Sequence, residues 1–102
     1  MSQTHIVRGV ATTISQEEGY TVIRYHATPV VKFNNTLVIL NTGGWYTATT
    51  KVRMNQAAQQ FGLNYGVSQR KGQWYVALWD RTEKKWIDEV PFNSTGIHTI
   101  ER

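Results

Sequence analysis

The sequence predicts an α+β fold: a small antiparallel β-sheet or partly open barrel of about six to seven strands, packed on one central α-helix. Three observations carry this. Runs of β-branched and aromatic residues with period-two alternation lie on both sides of one segment of helical periodicity. Turn-forming residues separate the runs, at Asn34-Asn35, Thr42-Gly43-Gly44 and Arg70-Lys71-Gly72. The chain has 102 residues, which suits a single domain spanning 1–102 with a modest core.

The elements follow in order. Residues 5–14 alternate, with Ile6, Val10 and Ile14 on one face, and predict a half-buried strand. Residues 15–19 form a polar, acidic turn, and 20–25 a second strand. Thr28-Pro29 interrupts the pattern, because proline lacks a ladder donor, so an edge or a bulge is expected there. Residues 30–33 and 36–40 flank Asn34-Asn35, which tolerate positive φ and predict a tight hairpin.

The helix is expected from about 50 to 60, with Met54, Ala57, Ala58 and Phe61 as its buried stripe. Thr49 or Thr50 would cap its start and Gly62 its end. Residues 65–69 and 73–79 flank a basic hairpin turn. Both faces of 74–79 are apolar, which predicts a central strand covered on both sides, with contact to another subunit as the alternative. A turn at 80–84, a strand at 85–90 and a short edge strand at 97–100 complete the chain.

Composition narrows the function. There is no cysteine, which excludes a disulfide framework, a thiolate metal site and a cysteine nucleophile. His5, His26 and His98 lack metal-ligand spacing, so no metal or cofactor is expected. No apolar run approaches the roughly 20 residues of a membrane span, and the start has no signal-peptide pattern. A cytosolic protein without membrane contact is expected. The net charge of +4 suits an anionic partner but falls short of a protein that coats nucleic acid.

The charge is unevenly placed. Residues 19–79 contain no aspartate or glutamate, while Arg24, Lys32, Lys51, Arg53, Arg70 and Lys71 lie among them. Near the middle, Gly43, Gly44, Thr47, Thr49, Thr50, Lys51 and Arg53 gather where the helix should start. Helix amides, hydroxyls and bases without a nearby carboxylate suit an anion, phosphate above all. Lys51 and Arg53 near a helix start oppose the dipole, which favours an anion docking there. At about 100° per residue, Lys51 and Asn55 fall on one flank of the apolar stripe and Arg53 on the other. The two bases therefore cannot easily grip one phosphate. The spacing is not that of a Walker P-loop, so nucleotide hydrolysis is not implied. Trp45, Tyr46 and Tyr25 are candidates to stack on a base, His26 to cradle it and Asn55 to read its edge.

The run from Gly43-Gly44-Trp45 through Thr49-Thr50-Lys51 to Arg53-Met54-Asn55 resembles a family of short phage-encoded proteins. Tyr25-His26-Ala27-Thr28 and Val30-Val31-Lys32-Phe33 upstream, and Gly72-Gln73-Trp74-Tyr75-Val76 downstream, belong to the same likeness, which covers about residues 20–78. The resemblance implies a phage protein working in the host bacterial cytoplasm. Small, acid-poor phage proteins of this kind are similar to anti-defence sponges. Those sequester the cyclic nucleotide signals of bacterial immunity, such as CBASS systems, usually as oligomers.

The leading expectation is thus a non-catalytic, homo-oligomeric (dimer or tetramer) protein that sequesters a cyclic dinucleotide-type signal. A DNA- or RNA-binding accessory protein is the second reading. An enzyme ranks third, because the central stretch offers only His26 as a base. A virion component or a host-protein inhibitor is a further reading.

Overall fold

The computed structural model describes residues 11–102. Their elements are β1 (Thr12–Glu17), β2 (Tyr20–Tyr25), β3 (Thr28–Phe33), β4 (Leu37–Asn41), α1 (Ala48–Phe61), β5 (Tyr65–Arg70), β6 (Gln73–Asp80), β7 (Lys85–Pro91) and β8 (Ile97–Glu101). Residues 5–10 of the first predicted strand lie outside the described region.

Two-residue turns that are left-handed at both positions close two of the hairpins. Glu18-Gly19 has φ of 52° and 84°, and Lys71-Gly72 has 51° and 80°. A turn left-handed at both positions matches the twist of antiparallel strands. The first turn is therefore shorter than the predicted 15–19, and Ser15, Gln16 and Glu17 pair with β2. Likewise Arg70 is the last residue of β5 rather than part of its turn. The β3–β4 turn forms where predicted but by another route. Neither Asn34 nor Asn35 has positive φ. Instead the Asn34 side-chain oxygen accepts from the Thr36 and Leu37 N–H groups at 2.8 and 2.9 Å, substituting a side chain for a backbone turn bond.

The strands form two antiparallel sheets among the described residues: five strands in the order β1-β2-β3-β4-β8 and three in the order β5-β6-β7. This corrects the predicted single sheet or partly open barrel of six to seven strands. The eight strands do not close on themselves. The chain leaves the first sheet through α1, builds the second sheet, and returns so that β8 pairs with β4.

Helix α1 packs on β5 of one sheet and on β2 and β3 of the other. Its stripe of Met54, Ala57 and Ala58 is buried against Ile23, Val31 and Leu40 on one side and Tyr65, Val67 and Val76 on the other. Gly62 ends it in the left-handed conformation, φ 63°, and its N–H returns to the Ala58 carbonyl. Tyr65 is enclosed and donates its hydroxyl to the Met54 carbonyl at 2.6 Å, and burial pushes its pKa above the ordinary phenol range.

Strand β6 is the central strand of its sheet, as its apolar faces predict. Trp74 and Val76 enter the core, and Leu78 packs against it. On the other face Trp86 lies over Gly66, where a Cβ would stand 2.7 Å from the indole, and Arg70 stacks on Tyr75 while pairing with Glu89. That face is partly covered by side chains of its own sheet, with Trp86 itself 53% exposed.

Candidate ligand-binding site

The site grows from a bulge and a loop. Ile23 pairs with Val31 and Tyr25 with Thr28, so two steps along β2 correspond to three along β3. The extra residue is a β-bulge, which the Thr28-Pro29 dipeptide foreshadows. It lets Val30 and Val31 both be buried, and Val30 turns into a cavity beside the helix start.

The loop between β4 and α1 is held by its own groups. The Gly43 N–H donates to Asn41 Oδ1 (2.8 Å), the Gly44 N–H to Thr42 Oγ1 (3.1 Å) and the Trp45 N–H to the Thr42 carbonyl (2.9 Å). Gly43 has φ 62°, and a Cβ there would lie 2.7 Å from Thr28 Oγ1, so glycine lets the loop close onto the β2–β3 hairpin. Thr47, not Thr49 or Thr50, is the N-cap: its Oγ1 accepts from the Thr50 N–H at 3.2 Å, and its carbonyl from the Lys51 N–H at 3.2 Å. The helix begins at Ala48, two residues before the predicted start, which moves Arg53 out of the first turn and Lys51 to its end.

These pieces enclose a cavity of about 260 Å³. Its walls are the rings of Tyr25, His26 and Trp45, the threonines 28, 42, 47 and 50, and Val30. Tyr25 and His26 touch, with centroids 4.4 Å apart and planes tilted by 49°. Trp45 is 67% exposed although it lines the cavity, so its indole forms the rim. Among the described residues no carboxylate lines the wall.

The structure thus brings Tyr25, His26, Trp45, Thr47 and Thr50 together, and adds Thr28, Val30 and Thr42. The other expected residues lie elsewhere. Gly43 and Gly44 face solvent, and their amides are committed to the loop, so they do not present a free phosphate cradle. Tyr46 packs edge-on against Trp74, centroids 5.2 Å apart, and lies outside the cavity wall. Thr49 and Lys51 are half-buried on the helix and do not line the cavity. Arg53 donates to Thr12 Oγ1 (2.8 Å) and Gln56 Oε1 (3.3 Å), with its guanidinium 5.8 Å from the Tyr25 ring centre. Asn55 is not available to read a base edge, because its amide bonds both the N–H and the carbonyl of Val67 in β5, at 2.8 and 2.9 Å. Arg53 and Asn55 therefore do sit on opposite flanks of α1.

Two cations of the acid-free stretch find acids from outside it. Arg24 pairs with Glu17 at 2.6 Å, and Arg70 with Glu89. The hydrogen bond from each guanidinium holds its carboxyl below the usual carboxylate range. Among the described residues no carboxylate is paired with Lys51 or Arg53. Nor does any group of three or more His, Asp or Glu side chains among them have the arrangement of a metal site. No helix among them is long and apolar enough to cross a membrane.

Fold and cavity together define a two-sheet α+β protein with an acid-free pocket of rings and hydroxyls at the start of its only described helix. The chain belongs to a phage protein family, the Kyanoviridae Gp96 protein family, whose match spans residues 3–99. No curated protein and no solved structure matches it.

Proposed function

We propose that this phage protein binds a phosphate-containing nucleotide without transforming it, and that its role is to sequester a cyclic dinucleotide-type signal of bacterial anti-phage defence. The observation that carries the reading is the cavity itself. Three rings and four threonines converge on one concave site with no carboxylate to repel an anionic ligand. The phage family supplies the setting in which such sequestration would be useful. At about 260 Å³ the cavity falls just below the roughly 300 to 1,000 Å³ of small-molecule sites. It encloses one part of a dinucleotide and leaves the rest at the Trp45 rim, which is where a second copy would complete a homo-oligomeric site.

The test is isothermal titration against a panel of cyclic di- and trinucleotides, followed by mass spectrometry of ligand released on denaturation. Saturable binding and chemically intact ligand support the proposal. Absence of heat with every member of the panel, or recovery of a cleaved product, would sink it.

The exposed indole of Trp45 favours one second reading, a stacking platform for single-stranded DNA or RNA. In that case affinity grows with oligonucleotide length and falls steeply with salt. A small-molecule cavity shows neither dependence strongly.

A further inference from the structure

Resting on the nucleotide-binding reading, we infer that the cavity receives the uncharged heteroaromatic ring of the ligand and leaves the phosphate at the mouth. Among the described residues the wall has rings and hydroxyls but no lysine or arginine. A phosphate drawn inside would lose its hydration without a described lysine or arginine in the wall to pair with, which is unfavourable. The backbone donors that could compensate are already used: the Gly43, Gly44 and Trp45 amides within the loop, and the Thr50 and Lys51 amides by Thr47.

A flat ring suffers none of these penalties. It can stack on the Trp45 indole and against the touching Tyr25 and His26 rings. Its polar edge meets threonine hydroxyls, of which those of Thr47 and Thr50 already bond each other at 3.1 Å. Thr42 Oγ1 accepts from the Gly44 N–H and so keeps its own proton to donate. A hydroxyl serves as donor or acceptor alike, so this wall discriminates weakly between bases.

The experiment titrates Trp45-sensitive fluorescence and heat with adenosine, guanosine, their monophosphates and inorganic phosphate. Nucleosides should bind within about tenfold of the monophosphates. Inorganic phosphate in large excess should not displace them. Thr28→Val, which removes a wall hydroxyl at nearly constant volume, should weaken nucleoside and nucleotide by the same factor. If nucleotides bind but nucleosides do not, and inorganic phosphate competes, the ring placement is overturned while nucleotide binding stands. If neither nucleosides nor monophosphates bind while a cyclic dinucleotide does, the ring placement falls alone; if the cyclic dinucleotides fail as well, both readings fall.

Discussion

Trp45 carries a large apolar ring that the fold leaves two-thirds in water, at 67% exposure. Removing it should cost little stability and much affinity. Trp45→Ala is expected to weaken nucleotide binding about tenfold or more, the scale of one lost stack, with the thermal midpoint nearly unchanged. Calorimetric titration beside thermal unfolding checks this, and a large drop in midpoint with intact affinity would contradict it. Lys51 tests the opposite case. Lys51 is not in the cavity wall, so Lys51→Glu should cost less affinity than Trp45→Ala. Thr47 belongs to both packing and site. Thr47→Ala removes the acceptor for the Thr50 N–H and should cost about 1 kcal/mol in urea unfolding. Which threonine caps could not be read locally, since residues 47, 49 and 50 are all competent. The choice follows from where the loop, bonded through Asn41 and Thr42, delivers the chain to the helix.

Between elements, the joint of α1 and β5 depends on Asn55. Strand β5 is an edge strand, and Asn55 occupies the outward N–H and carbonyl of Val67. Edge groups left open invite pairing with another chain. Asn55→Ala should therefore destabilise by about 2 kcal/mol, for two bonds lost beside a buried residue. It should also raise the tendency to aggregate, read by light scattering during a thermal ramp. Unchanged stability and scattering would show that water replaces the side chain without penalty. The other edge of this sheet is blunted differently. Val76 pairs with Val90 and Leu78 with Ile87, so β7 carries an extra residue, and Asp88 there has φ 53°. The bulge, together with Asp88, Glu89 and the terminal Pro91, makes β7 a poor template. Periodicity revealed that these segments are strands, and the Arg70-Lys71-Gly72 signal marked their hairpin. It could not reveal Asn55 as a clamp, because a polar residue on a helix flank looks the same whether it meets water, a ligand or a strand edge.

At the scale of the whole molecule, stability should decline in two steps as pH falls. His98 Nδ1 accepts from the Asn93 N–H at 3.1 Å and the ring rests on Phe92, centroids 5.3 Å apart, so the folded state holds it neutral. Burial pushes its pKa below the ordinary 6.5. A folded pKa below the unfolded one means that the unfolded chain takes up the proton first. This contribution is complete above about pH 6.5 and is lost as pH falls below it. The carboxylates of Glu17 and Glu89, lowered by their arginine partners, contribute stability above about pH 4.5 that is lost further into acid. Urea unfolding from about pH 8 to about pH 3 should show both declines, and His98→Gln should remove only the first. A variant that kept the first decline would place its origin elsewhere.

Local chemistry was enough to specify the kinds of element and several of their joints. The helix, its Gly62 terminus, the hairpins and the irregularity at Thr28-Pro29 depend on φ/ψ preferences and on the period of apolar residues, which act over a few positions. Much of the candidate cavity was likewise legible, in Tyr25, His26, Trp45, Thr47 and Thr50. The division into two sheets, the return of β8 to β4, the engagement of Arg53 with β1 and of Asn55 with β5, and the entry of Thr28, Val30 and Thr42 into the wall were settled by packing. These depend on which distant surfaces bury each other best. That competition is decided by shape and hydrogen-bond completion across the whole chain, to which no short window of sequence is sensitive.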